Sequence, residues 1–208
     1  MAKKFNIELA DSQATIVVPE SAKNFNFEVY EAYVKELNQT CADFWHKESG
    51  VLVYRRMRVA DCFSYGCRDM KLSLELQLGA LEKSMLFKAD VPNFLEPWYG
   101  IGTVVSAFGA EYISSTGNAP ALKPGFLSLD EVLAYEPVEV AKTPIGRHTL
   151  EMIDYFMNET KGRLPVSFTD TQSPLNMTGH MVPLDQFFMD VLLEPDKVVQ
   201  LFDRIAGL

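Results

Sequence analysis

A chain of 208 residues that is 48% hydrophobic and 23% charged can bury one substantial core with room for an appendage, and its composition excludes a disordered polymer. A net charge of −9, with no basic stripe anywhere, argues against nucleic acid or an anionic membrane as the main partner. No apolar run approaches a membrane span or a signal-peptide core, and three cysteines (Cys41, Cys62, Cys67) without CxxC spacing suit a reducing cytoplasm.

In chain order, Phe5, Ile7 and Leu9 alternate with polar residues, and Ile16 and Val18 follow Asp11-Ser12-Gln13. This predicts a small β-hairpin that Pro19 breaks. Between Phe27 and Trp45, Tyr30, Tyr33, Val34, Leu37, Cys41 and Phe44 recur at helical spacing and predict an amphipathic helix. Gly50 interrupts, and Val51 to Tyr54 reads as a short strand. Residues 1–50 are thus read as a hairpin-and-helix appendage, and residues 51–208 as the main α/β unit.

Four arginines (Arg55, Arg56, Arg58, Arg68) then fall in one short polar stretch. In so acidic a chain they are candidates for gripping carboxylates or phosphates through guanidinium forks. The plainer alternative is pairing with nearby acids on the surface. A helix from about Arg68 to Lys88 follows, with Leu72, Leu76, Leu81 and Leu86 among its buried candidates. It feeds Asp90 and a short apolar run, Val91 to Leu95, where Pro92 and Pro97 leave few ladder donors. Trp98 and Tyr99 read as core or pocket-wall aromatics, and Gly100 and Gly102 permit a tight turn into a helix from Thr103 to Phe108.

Residues 109–142 are rich in proline and glycine and read as a long surface excursion, broken by a capping box at Ser128 to Glu131 that starts a helix to about Tyr135. Thr143-Pro144 opens a helix to about Lys161 that carries His148, and Gly162 ends it. The stretch LPVSFTDTQSPLNMTGHMV (164–182) organises the rest. It reads as a buried strand, Leu164 to Thr169, that ends abruptly in Asp170, Thr171, Gln172 and Ser173 before a helix opened by Pro174. Loops at the carboxyl ends of such strands hold ligands, which makes Asp170 and Gln172 candidate site residues. The same residues also read as the cap of the helix, and the two readings are compatible. Helices from Leu184 to Leu193 and from Pro195 to Ala206 close the chain, the latter burying Val198, Val199, Leu201, Phe202 and Ile205.

This alternation of helices and strands predicts βαβ units with parallel pairing, but only two or three strands of parallel character. A closed (β/α)8 barrel needs about 250 residues. The expected fold is therefore α/β, a partial TIM-barrel-like arrangement behind the amino-terminal appendage.

Three segments resemble the uroporphyrinogen decarboxylase superfamily, which holds the decarboxylase and the corrinoid-linked methyltransferases. CRDMKLSLELQLGALEKSMLFKAD resembles the family's first long barrel helix and the strand ending in aspartate. SFTDTQSPLNMTGHMV resembles a later strand and loop, and FFMDVLLEPDKVVQLFDRIAGL resembles the helix pair that follows. The resemblance covers roughly residues 55–208. It implies that Asp90 stands where the decarboxylase contacts pyrrole nitrogens, and that His180 takes the place of its active-site tyrosine. The decarboxylase's MRQAGRY motif is echoed only by Met57-Arg58, with Cys62 in place of its second arginine. TDTQSPLN is closer to the methyltransferase branch. That branch's His-x-Cys zinc motif does not occur in this chain.

The function expected is methyl transfer linked to a corrinoid, with decarboxylation of a tetrapyrrole, or ligand or partner binding by a non-catalytic partial barrel, as the alternatives. Asp90, Asp170 and His180 are the candidate catalytic residues, since a histidine near carboxylates can move a proton near neutral pH. Arg58, Trp98, Tyr99, Gln172 and Asn176 are the candidate substrate contacts. The histidines and cysteines show no ligand spacing, so no metal site is expected in this chain alone; corrinoid and zinc belong to a complete enzyme. The expected partners are a small-molecule or corrinoid substrate and either a second copy or a polypeptide that supplies the missing barrel half.

Overall fold

A computed structural model describes residues 17–208 apart from residues 48, 88, 114, 116, 117 and 124. All but the last two residues of the hairpin expected over residues 5–18 lie outside the described residues, and Val17 and Val18 are irregular.

Helices dominate the described chain. Helix α1 (Phe27–Trp45) starts where the Asn26 side chain accepts a hydrogen bond from the Val29 N–H at 3.1 Å. Of its apolar stripe, Tyr30 and Leu37 are buried, whereas Tyr33, Val34, Cys41 and Phe44 are half-buried. Helix α2 (Met70–Ser84) is shorter than the expected span from Arg68 to Lys88. Asp69 is extended and caps it by accepting from the Leu72 N–H, which leaves Arg68 in a separate 3-10 turn, and Met85–Phe87 tighten into another. Leu76 and Leu81 are buried, but Leu72 is half-buried and Leu86 is exposed; Leu74 and Leu78 fill the core in their stead. The helix is covered on more than one face, because the chain at Val18 passes so close to Gly79 that a Cβ there would collide with the Val18 carbonyl.

The two or three expected parallel strands reduce, among the described residues, to a single bridge. The Leu95 N–H donates to the Pro165 carbonyl at 3.0 Å, and the Ser167 N–H donates to the Leu95 carbonyl at 2.8 Å. Pro92, Pro97 and Pro165 remove the N–H groups that a longer ladder would use. Val51 to Tyr54 likewise forms no strand. The Asp90 N–H donates to the Val53 carbonyl, while the Asn93 side chain accepts from the Met57 N–H and donates to the Arg55 carbonyl, in place of backbone pairing. The named strands among the described residues are β1 (Tyr112–Ile113) and β2 (Ala121–Leu122), an antiparallel pair inside the excursion. The molecule is mostly helical, and its α/β character rests on this pair and the parallel bridge.

The chain from Val105 to Phe108 is a 3-10 turn, not a helix from Thr103. Helix α3 (Leu129–Ala134) has the predicted Ser128 cap, and Glu131 reaches back to accept from the Leu127 N–H at 2.7 Å. Helix α4 (Pro144–Thr160) is capped by Thr143, whose hydroxyl accepts from the Gly146 N–H at 2.9 Å; it ends in left-handed Lys161 (φ 53°) and Gly162 (φ 64°). Helices α5 (Pro174–Met181), α6 (Leu184–Leu193) and α7 (Pro195–Ala206) follow. In α7, Val199 is exposed and Phe202 half-buried, contrary to the expected burial, because Val198, Leu201 and Ile205 alone define its inner stripe.

Two apolar cores result. One gathers Leu129 and Val132 with Met177, Met181, Phe187 and Leu201, tying α3 to the carboxyl-terminal helices. The other packs Leu74, Leu78 and Leu81 against Leu95, Met152, Phe156 and Leu164, and it includes Phe25 and Tyr30. The division expected at residue 50 therefore does not separate two cores: the start of α1 belongs to the same packing as the parallel bridge. The Tyr30 hydroxyl is buried and donates to the Asn93 carbonyl at 2.7 Å. Replacing Tyr30 with Phe should cost about 1–2 kcal/mol in denaturant unfolding, since the Asn93 carbonyl is left without that donor; an unchanged midpoint would contradict this link.

Candidate functional site

The parallel bridge sets the geometry of the site. Trp98 lies three residues beyond Leu95, and Asp170 lies four residues beyond Val166, so both emerge at the carboxyl end of the paired segments. The Thr169 hydroxyl donates to the Pro97 carbonyl at 3.1 Å and continues the join. Beyond it the buried Trp98 donates its indole N–H to Asp170 Oδ2 at 3.2 Å. The Gln172 amide donates to Asp170 Oδ1 at 2.7 Å, and the Asn176 amide donates to Gln172 Oε1 at 3.0 Å. Ser173 caps α5 by accepting from the Asn176 N–H. Site and cap readings thus coexist: Ser173 caps, while Asp170 and Gln172 form a hydrogen-bonded chain with Trp98 and Asn176.

Asp170 is half-buried and holds one fixed donor on each oxygen. An ionised carboxylate offers about four lone-pair positions, so it retains capacity to accept from a ligand. His180 follows Asn176 by four residues and shares its face of α5. Its half-buried imidazole is held below the ordinary histidine value by desolvation, which keeps it neutral and able to accept a proton.

Arg58 joins the cluster differently from expectation. Its guanidinium lies 3.7 Å from the centroid of the Phe63 ring, and that ring packs on Trp98 with centroids 5.5 Å apart. Its Nε also lies 3.3 Å from Glu96, and Arg56 pairs with the same carboxylate. The backbone of Glu96 is in turn clamped by Gln77, whose side chain accepts from the Glu96 N–H and donates to its carbonyl. Two members of the arginine cluster are therefore spent on an internal acid. Glu96 is the one acid in an apolar run, and that was its signal in the sequence; Phe63 gave none.

Tyr99 turns away from Trp98 into a second aromatic group. Its ring stacks on His148 at 3.7 Å between centroids and meets Tyr112 edge-on at 5.5 Å. The Tyr112 hydroxyl accepts from the Gly102 N–H at 2.7 Å. His148 is half-buried, and its Nε2 is buried without a hydrogen-bond partner. Desolvation lowers its proton affinity, partly opposed by a backbone hydrogen bond with Cys67 and by Glu151.

Asp90 stands apart from these groups. It precedes Leu95 by five residues, at the amino end of the pair, where its carboxylate accepts from the Val53 N–H at 2.7 Å and its carbonyl accepts from the Cys41 thiol. Arg58, Trp98, Asp170, Gln172 and Asn176 are thus contiguous; Tyr99 adjoins them, and Asp90 does not.

Zinc does not fit the described residues. Among the described residues no group of three His, Cys, Asp or Glu side chains could hold a metal ion. Burial pushes the thiols of Cys62 and Cys67 up to about 12 and about 11, so neither supplies a thiolate near neutral pH. Nor is any helix long and apolar enough to cross a membrane among the described residues.

No family model and no curated protein matches the chain. Its fold is similar to that of a methyltransferase from Methanosarcina mazei, with a TM-score of 0.59 at 16% identity, over 82% of this chain and 52% of that one. The chain spans about half the length of that protein. At this identity the likeness concerns the fold.

His148 and His180 both bind protons less readily when folded than an ordinary histidine, so the unfolded chain takes up more protons just below pH 6.5. Their contribution to stability is present above that pH and is lost as pH falls through the lowered folded values. Unfolding free energy measured from pH 7.5 to 5 should decline, with a shallower slope in a His148→Gln/His180→Gln variant; an identical slope would contradict the burial of both rings.

Proposed function

We propose that this chain is a partial (β/α)8-type module of the uroporphyrinogen decarboxylase superfamily that takes part in methyl transfer linked to a corrinoid, with its reacting groups at the carboxyl end of the parallel pair. The observation that carries the reading is the Trp98–Asp170–Gln172–Asn176 chain, built at that end of a fold similar to a methyltransferase's. The corrinoid is the methyl-carrying substrate, brought by a partner or free in solution.

Methyl transfer is a displacement at carbon. The acceptor's nucleophilic atom forms the new bond, the bond from methyl to donor breaks, and the leaving group keeps the electron pair. What the protein adds is alignment and proton control. Asp170, fixed by Trp98 and Gln172, accepts a hydrogen bond from the substrate and sets its orientation. Neutral His180 removes the acceptor's proton as the nucleophile attacks. Asn176 holds Gln172, and the ring of Trp98 walls the site with Phe63. Asp90, remote from this chain, is proposed to join the opening segments through the Val53 N–H and not to touch substrate.

Decarboxylation of a carboxylate-rich tetrapyrrole is the weaker reading, because it needs free guanidinium groups, and Arg56 and Arg58 are both paired with Glu96. A binding module without catalysis is the remaining reading.

Methyl transfer between a free methylated corrinoid and a small thiol, measured from the corrinoid's visible absorbance, tests the proposal. Asp170→Asn should lower kcat/KM by about 10²-fold or more, and Trp98→Phe, which keeps the ring but loses the N–H, by about 10-fold. Wild-type activity in Asp170→Asn contradicts the assignment; binding without turnover in the wild type selects the binding module.

A further inference from the structure

Helix α6 buries only Phe187 and Asp190 against the rest of the molecule. Leu184, Phe188, Met189, Val191, Leu192 and Leu193 are 40% to 77% exposed, so most of a ten-residue helix presents apolar side chains to solvent. At roughly 100 Å² each they expose on the order of 600 Å², at the top of what a typical monomer's largest apolar patch shows and most of the ~800 Å² per partner of a standard interface. The helix carries no basic residue, and the chain is acidic at −9. Helices that lie on anionic membranes carry Lys and Arg beside their apolar face, so a lipid surface does not suit this one.

We propose that this face is the contact between two copies of the chain, joined antiparallel about a two-fold axis near Phe188 and Met189. The stripe Leu184, Phe188, Leu192 repeats every four residues and is self-complementary in that orientation: Phe188 meets its own copy, and Leu184 meets Leu192 at either end. The one charge on the exposed arc, Asp185, is then separated from its copy by about six residues of helix, or about 9 Å, whereas a parallel pair sets Asp185 against Asp185. This contact is independent of the reaction proposed above and stands or falls without it.

Light scattering of the purified chain, with intact masses of every polypeptide present, tests it. The wild type should show twice 23.4 kDa, while Phe188→Glu and Leu192→Glu should each show the single mass with an unchanged circular dichroism spectrum. Val51→Ser, which removes an equally exposed apolar side chain elsewhere, should remain double. If the glutamate variants fail to fold, oxidation of Phe188→Cys decides: a cross-linked pair absent from the oxidised wild type supports the contact, and none overturns it. A wild-type monomer, a double mass that survives both glutamates, an open-ended series of larger species, or a second, different polypeptide in the purified material would each overturn it.

Discussion

Two backbone hydrogen bonds, from Leu95 to Pro165 and from Ser167 to Leu95, are the constraint on which the candidate site depends. They join segments about 70 residues apart in the chain, and they do so in parallel, so the residues that follow each segment leave on the same side. Trp98 and Asp170 meet for that reason, with the Thr169 hydroxyl donating to the Pro97 carbonyl to continue the join. The bridge has little ladder of its own, because prolines have removed the neighbouring donors. What holds it is the packing of Leu95 and Leu164 with Leu78, Met152 and Phe156. Burial of this apolar cluster is the larger stabilising term, and the hydrogen bonds fix register.

Polar groups are placed by the same economy. Asn93 pairs side-chain atoms with two backbone groups where a strand would have paired backbone with backbone, and Gln77 does the same for Glu96. Glu96, so anchored, holds Arg56 and Arg58, and Arg58 covers Phe63, whose ring supports Trp98. The cation cluster thus acts as the outer wall of the aromatic contact. Two of its guanidinium groups, Arg56 and Arg58, share the Glu96 carboxylate.

Helices were legible in the sequence where a cap or a proline marks them. Phe27–Trp45, Leu184–Leu193 and Pro195–Ala206 lie where periodicity put them, and Thr143, Ser128 and Ser173 cap as their spacing implied. The strands were legible as extended apolar runs but not as a single bridge, since prolines set an upper bound on pairing without saying which donors find side-chain partners. The polar chain at Asp170 was visible as a cluster on a loop; its closure by Trp98 depends on pairing across 72 residues, and no local pattern carries that. Burial around helices misled at Leu86 and Val199, where periodicity gives a face but not which neighbour covers it. The likeness to a methyltransferase concerns the fold, while the superfamily and the reaction stay proposals.

The most direct measurement follows the two indole N–H resonances of the labelled protein while a free methylated corrinoid is added. Trp98 is buried and bonded to Asp170, whereas Trp45 is exposed at the end of α1. A saturable shift of the Trp98 signal with Trp45 unmoved is the result this account predicts. A corrinoid that shifts only Trp45, or neither, would contradict a site at the carboxyl end of the parallel pair.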